Sequence, residues 1–393
     1  MTNMNASQEP SLAQQNTNLT SLLTLRQQEF GARVARLETY LHSDPENQPL
    51  LLDAFTTALH AAFFEKAEQF LKSALSIGVD ASAWQFRCTN LYIAQGRYAE
   101  AEAILQDLQQ HQGKNLAISH NMAFIRFQQV DYEAALAVLD AVIDIEASTA
   151  VEEVNELQVL RFRCMHRLLK LDEAVAYAIH LEKIQHLSAE AAGVASLIAV
   201  DAGQLDLAAN WARLALAIVP EQVEALVANA TVALSQKNTE VSRHFLLRAL
   251  AKNSVDGRIL SLLGFTEMYD LKIDQALSYL QSAVVYMPDH IGTHLGLGWL
   301  YFIQKDLESA QAEFETALAL DHNFSESHGA IAVIAATQNE IEKARLHIEL
   351  ALRLDKANLS APYAQAILSG EANDAEAIKR LAQRLLKNRF KAS

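Results

Sequence analysis

Residues 306–320 read DLESAQAEFETALAL, and the spacing inside this stretch decides the fold. Ala310, Phe314 and Ala317 alternate small, large and small at steps of four and three, which sets all three on one face of a helix. Displaced by 34 residues, the pattern recurs as Ala344, Ile348 and Ala351. Displaced backwards it becomes Ala276, Leu280 and Ala283, then Ser242, Leu246 and Ala249, then Ala208, Ala212 and Ala215, then Ala174, Ala178 and Leu181. Upstream the phase slips by five residues and resumes: Ala135, Leu139 and Val142 lie 34 after Ala101, Leu105 and Leu108, which lie 34 after Ala67, Leu71 and Ala74. Leu37, Tyr40 and Pro45 look like the second half of a partial first unit. The leading column is Ala eight times and Ser once, so it selects for smallness. Two helices that cross closely need a small side chain where their backbones meet, and a larger one there overpacks at about 1–3 kcal/mol.

The stretch before each of these helices carries a looser signature. Tyr92 precedes Ala101 by the offset that separates Tyr301 from Ala310, and the pair Leu297-Gly298 repeats one unit earlier as Leu263-Gly264. Turn-like segments recur between the halves: AQGRY (94–98), QQVDY (128–132), DAGQL (201–205), YDLKI (269–273) and QKDLE (304–308). Pro220 and Pro288, two periods apart, mark helix ends, because proline lacks the N–H that would continue the ladder. Over about residues 48–358 this pattern resembles the tetratricopeptide repeat family, with its Trp/Leu-Gly/Tyr first helix and Ala/Phe/Ala…Pro second helix. Departures exist. Arg161-Phe162 and Ala195-Ser196 stand in the Leu-Gly columns of two units, and Gln85 stands in a Trp column with Trp84 one residue early.

The resemblance implies an all-α fold: a right-handed superhelical solenoid of about nine helix-turn-helix units closed by capping helices. The phase starts units at 48, 82, 116, 155, 189, 223, 257, 291 and 325. The expected layout is a disordered polar tail over 1–19, an N-terminal capping helix or half repeat over 20–47, and three units over 48–149. Six units follow over 150–358, then capping helices with a basic end over 359–393. The slip falls at IEASTAVEEVN (145–155), where either the third unit's second helix is extended or the connection is longer.

Composition agrees with an array. The 393 residues are 51% apolar and 20% charged. That is more chain than one compact core accommodates, since single cores stop growing near ~250–300 residues. Only 6 Pro and 13 Gly interrupt a chain rich in helix formers. A formal charge of −15 repels phosphate backbones, so nucleic acid is not the expected partner. Cys88 and Cys164 form no CxxC pair and read as reduced core thiols of a cytoplasmic protein. Residues 1–19 lack the basic and apolar regions of a secretory signal, and no apolar run approaches the ~20 residues of a membrane span.

No GxSxG, HExxH, P-loop or strand-borne GxGxxG occurs, so the chain is not expected to be an enzyme or to hold a cofactor or metal. His290 and His294 are spaced as metal ligands on a helix can be, but no third ligand accompanies them, and His294 occupies a column that packs between helices. Cys88 stands in a Leu column.

In the family the first helices line a concave face where ligands bind, and the phase assigns its inner columns here. Late in the chain these hold Phe265, Met268, Tyr269, Leu295, Trp299, Phe302 and Ile303, expected either as an exposed recognition cluster or as core between neighbouring helices. Earlier units offer Phe86, Asn90, His120, Phe124 and Phe127. Arg163, His166 and Arg167 form a basic patch beside Arg161, which suits a carboxylate or else pairs with Glu152, Glu153 and Glu156. The segment 377–393 is basic and amphipathic through Leu381, Leu385, Leu386 and Phe390, and reads foremost as a cap. The resemblance implies a non-catalytic scaffold or adaptor that binds a partner protein or peptide in the groove. The alternative is an assembly or regulatory subunit of an envelope, pilus or secretion machine acting through caps and edges, and a homo-oligomer is possible.

Overall fold

A computed structural model describes residues 29–78 and 80–370, apart from the side chains of residues 146, 147 and 152. The tail over 1–19 and the basic segment 377–393 lie outside the described residues. Everything regular in the described chain is helical, and the chain forms two compact units that divide between Lys170 and Leu171.

The first unit opens with α1 over residues 29–43. Three helix pairs follow: α2 (Gln48–His60) with α3 (Phe64–Ile77), α4 (Ala81–Ala94) with α5 (Tyr98–Gln112), and α6 (Leu116–Gln128) with α7 (Tyr132–Asp140). A short α8 (Ile143–Ala147) leads into α9 (Val151–Arg167), which packs on α6 and α7. The second unit begins with α10 (Leu171–Lys183), packed on α11. Its five pairs are α11 (Ala189–Asp201) with α12 (Leu205–Ile218), α13 (Val223–Ser235) with α14 (Thr239–Lys252), α15 (Gly257–Tyr269) with α16 (Ile273–Tyr286), α17 (Ile291–Ile303) with α18 (Leu307–Leu320), and α19 (Ser325–Thr337) with α20 (Ile341–Leu354). Helix α21 (Ser360–Leu368) lies on α19 and α20.

The small-large-small columns are the contact faces. All three residues of every set from Ala67-Leu71-Ala74 to Ala344-Ile348-Ala351 are buried, and the leading position is fully shielded or nearly so in each. The Leu-Gly signature has the same cause. A Cβ on Gly264 would lie 2.5 Å from the Leu280 side chain, and one on Gly298 would lie 2.5 Å from the Phe314 ring. The bulky residue of one helix therefore rests directly on the backbone of its partner, where only hydrogen fits.

The turns inside the eight pairs, and the turn that follows α9, share one geometry. The second of three linking residues is left-handed each time: Ala62, Gly96, Val130, Leu169, Gly203, Lys237, Leu271, Lys305 and Asn339. The N–H of the next residue then reaches back to the last turn of the helix, as from Phe63 to Ala58, Asp131 to Arg126 and Lys272 to Glu267, at 2.8–3.0 Å. This is the helix-ending motif that normally calls for glycine.

Two expectations need correction. In α1 the buried face is Val34, Leu37 and Leu41, while Tyr40 is 57% exposed: Leu37 keeps the 34-residue spacing to Leu71, but Val34 and Leu41 lie 33 before Ala67 and Ala74. The five extra residues near 145–155 neither extend α7, which ends at Asp140, nor form a plain loop: they build α8 and begin α9 at 151, four residues before the expected unit start. The compact units divide one helix later than the 149/150 boundary, because α9 packs back on α6 and α7.

Candidate binding pocket in the second unit

The late inner columns converge on one pocket of about 750 Å³. Its floor comes from the middle of two first helices: Phe265 and Met268 on α15, and Leu295, Gly296 and Trp299 on α17. Close approach makes this floor, since a Cβ on Gly296 would lie 2.7 Å from the Phe265 ring. Trp299 is fixed from behind by Phe302, edge-on at 5.6 Å between centroids, and by Phe314 at 5.2 Å. Aromatic contacts of this kind lock a rotamer as well as adding attraction.

The rim is made by the loops entering α17, α19 and α21. Two side chains from the start of α19 tie the last of these loops down. The Glu326 carboxylate accepts hydrogen bonds from the Leu359 N–H at 2.8 Å and the Ser360 hydroxyl at 2.6 Å. Burial pushes the Glu326 carboxyl up from its ordinary value, against the lowering effect of these bonds. Buried Asn358 caps α21 by accepting from the Ala361 N–H at 2.7 Å, and it donates to the Ser325 hydroxyl at 3.3 Å. Gly329 permits this clasp, because a Cβ there would lie 2.7 Å from both Asn358 and Ser360.

Asp289, Glu326 and Asp355 line the pocket, and neither Lys nor Arg does. The three tryptophans differ in how their N–H is used. Trp84 donates to Gln48 and Trp211 to Glu182, whereas the N–H of Trp299, a pocket-lining residue, has no partner among the described residues.

Of the two expectations for the late aromatic cluster, exposed groove or core between helices, burial favours the core. Phe265, Met268, Leu295, Trp299 and Phe302 are each under a tenth exposed and belong to the second unit's core. Four of them still present an edge to the pocket, while Phe302 lies behind Trp299, and Tyr269 is half-buried against the core without lining it. Periodicity assigned the face but gave no measure of how deeply neighbouring helices cover it. The rim was missed because its residues sit in interhelical loops, outside any column; the acidic residues at 289, 326 and 355 are its one trace in the sequence.

The earlier site residues belong to the first unit. Phe86 on α4 packs against the core cluster of α5 and α6, and Asn90 accepts from Asn121 at 2.7 Å. Phe124 stacks on His120 at 6.2 Å, and Phe127 meets Tyr132 at 5.1 Å. Arg163 and Arg167 are exposed on α9 and His166 is half-buried. Arg161 is not part of a surface patch: it is 1% exposed, bonded to Asp140 and to the Leu139 carbonyl at 2.8 Å, where a cation suits the C-terminal end of α7.

His290 and His294 are committed to structure. The His290 side chain caps α17 at the Thr293 N–H, while His294 sits between Glu313 at 2.7 Å and the Pro288 carbonyl at 2.6 Å, so both its ring nitrogens are engaged. Among the described residues no three His, Cys, Asp or Glu side chains cluster as metal ligands. Burial pushes the Cys88 thiol up and holds Cys164 at about 12, leaving almost no thiolate for nucleophilic chemistry. No helix among the described residues is long and apolar enough to cross a membrane.

Helix pairs repeating every 34 residues, each ending its first helix in a left-handed turn, define a tandem helical-repeat protein. The tetratricopeptide repeat model matches two stretches, residues 92–159 and 272–334, and the helix pairs there are of the tetratricopeptide type. Similar solved folds include a human IFIT1 dimer with m7Gppp-AAAA, at 16% identity and a TM-score of 0.51, covering 87% of this chain and 88% of that one. Pseudomonas aeruginosa PilF is 21% identical with a TM-score of 0.40, covering 57% of this chain and 99% of that one. YrrB, described as a TPR protein with an unusual peptide-binding site, is 18% identical with a TM-score of 0.37, covering 49% and 98%. At these identities the likeness is one of fold. No curated protein matches the chain in sequence.

Proposed function

We propose that this chain is a non-catalytic adaptor that holds a segment of a partner protein against the pocket of its second unit. The observation that carries this reading is the pocket itself: an apolar floor of Phe265, Met268, Leu295 and Trp299, open at the columns that tetratricopeptide arrays turn towards their ligands. A concave space of this volume with an apolar lining and few polar groups is the usual form of a binding site. Its walls are set in advance by the Trp299–Phe314 contact and the Glu326 clasp, so a guest orders little of the host on arrival. Two free, buried cysteines suit a reducing compartment.

Trp299→Ala is a poor test, because deleting a ring packed on Phe302 and Phe314 costs about 3–5 kcal/mol of stability on its own. Ala357→Trp is better. Ala357 is exposed at the rim, and a bulky ring there closes the mouth without touching the core. Affinity capture with the wild type should retain a partner that Ala357→Trp loses, with the helical circular dichroism of the two identical. An unchanged set of captured proteins would remove the pocket from the function.

A further inference from the structure

We infer that the pocket selects a cationic, amphipathic segment: one bulky apolar side chain inserted on the floor, flanked by Lys or Arg that meet the rim. This rests on the pocket being the partner site and adds the partner's chemistry. Three observations carry it. First, the floor is apolar, and Met268 and Leu295 supply surfaces that adjust to aliphatic guests. Second, every charged residue lining the pocket is acidic. Asp289 and Asp355 are exposed at the mouth, on opposite loops, so cations either side of an inserted residue have a carboxylate each. Glu326 is spent on the Leu359 N–H and the Ser360 hydroxyl, and Asp355 accepts from the Ala357 N–H at 2.8 Å through Oδ1, which leaves Asp289 and the second Asp355 oxygen as the pairing groups. Third, the Trp299 N–H is the one indole donor of the chain without a partner among the described residues, and Trp299 is 95% shielded. A donor in that position is matched by a carbonyl of the guest's backbone once water is displaced.

Charge arranged in this way acts on selectivity and encounter more than on raw affinity. An anionic segment of the same shape brings like charges together at the mouth and is rejected. The pairs are solvent-facing, so their contribution falls as salt screens them.

The test uses the full chain and three short fluorescein-labelled peptides. One is built of Leu and Lys in an amphipathic pattern, one replaces each Lys with Glu, and one replaces each Leu with Ser. Because the whole chain is acidic, a double variant Asp289→Asn/Asp355→Asn is compared with Asp206→Asn/Asp274→Asn, which neutralises two exposed carboxylates on other helices. Fluorescence anisotropy should show the Leu/Lys peptide binding about tenfold or more tighter than the Leu/Glu peptide. Affinity for it should fall about fivefold in the rim double variant and hardly at all in the control. Ala357→Trp and the Leu-to-Ser exchange should each abolish binding. Equal binding of the Leu/Lys and Leu/Glu peptides, both lost in Ala357→Trp, would overturn the charge inference while leaving the pocket as a site. Binding of the Leu/Lys peptide that survives Ala357→Trp would overturn both.

Discussion

At the scale of single residues, two kinds of backbone constraint shape this chain, and only one is written plainly in the sequence. Gly264 and Gly298 stand where a Cβ would strike Leu280 or Phe314, so the Leu-Gly pairs in those units could be read as close contacts in advance. The left-handed turn residues could not. Gly96 and Gly203 advertise the conformation, but the same place elsewhere holds Ala62, Val130, Leu169, Lys237, Leu271, Lys305 and Asn339. The motif survives unfavourable side chains because it is pinned from both ends, by the returning N–H bond and by the burial of the helices it joins. Val130 is the most strained of these, being β-branched at φ 66° and 67% exposed, with little packing to compensate. An L-residue there carries roughly 1–2 kcal/mol of steric penalty, and glycine gives part of the gain back as chain entropy. Val130→Gly should therefore stabilise the first unit by about 1 kcal/mol, read as a rise in its thermal midpoint. A fall would mean that the exposed valine makes contacts outweighing its strain.

Between elements, the periodic columns predicted which faces meet, yet chemistry at corresponding positions differs from unit to unit. His294 on α17 faces Glu313 on α18, and its other nitrogen meets the Pro288 carbonyl. One period later His328 on α19 meets the His322 carbonyl in the same way, but faces His347 on α20, with 3.1 Å between the two Nδ1 atoms. One of those nitrogens must donate and the other accept, so the pair holds together only while at least one ring is neutral. Burial, with help from His328 and Lys343, depresses the basicity of His347 below the usual imidazole value. The unfolded chain then binds more protons than the folded one at pH values below about 6.5. Stability from this contact is complete above that value and is lost as the pH falls from it through the depressed folded value. His347→Glu would recreate the pairing seen between His294 and Glu313, with a carboxylate facing the imidazole in place of a second imidazole. Comparing thermal midpoints at pH 7.5 and 5.5, the wild-type protein should lose more stability on acidification than His347→Glu. Equal losses would show that the drop originates elsewhere. None of this was visible in the columns, because a helix face fixes that two positions meet and leaves open what they exchange.

Across the whole molecule, repetition makes stability nearly local, since each pair rests chiefly on its neighbours. The period fixes where the helices begin to within a few residues, and the starts at 48 and 116 and each of those from 189 to 325 coincide with the phase. The same period is silent on where the array divides. The phase slip near 145–155 marks a change in helix length; the compact units part only after Lys170, because buried Arg161 and its helix α9 are anchored to the end of α7. The second unit holds its own core, running from Leu234 to Ala364, and the whole of the pocket. Residues 171–393 expressed alone should accordingly fold, giving a helical spectrum and one cooperative unfolding transition, and should bind the Leu/Lys peptide within about threefold of the full chain's affinity. Unfolding of the full chain should then depart from a two-state transition, with calorimetric enthalpy exceeding the van't Hoff value. A fragment that fails to fold would show that the second unit depends on the first. A fragment that folds but no longer binds would show that the first unit supplies part of the recognition surface, and the adaptor would then be a property of the entire array.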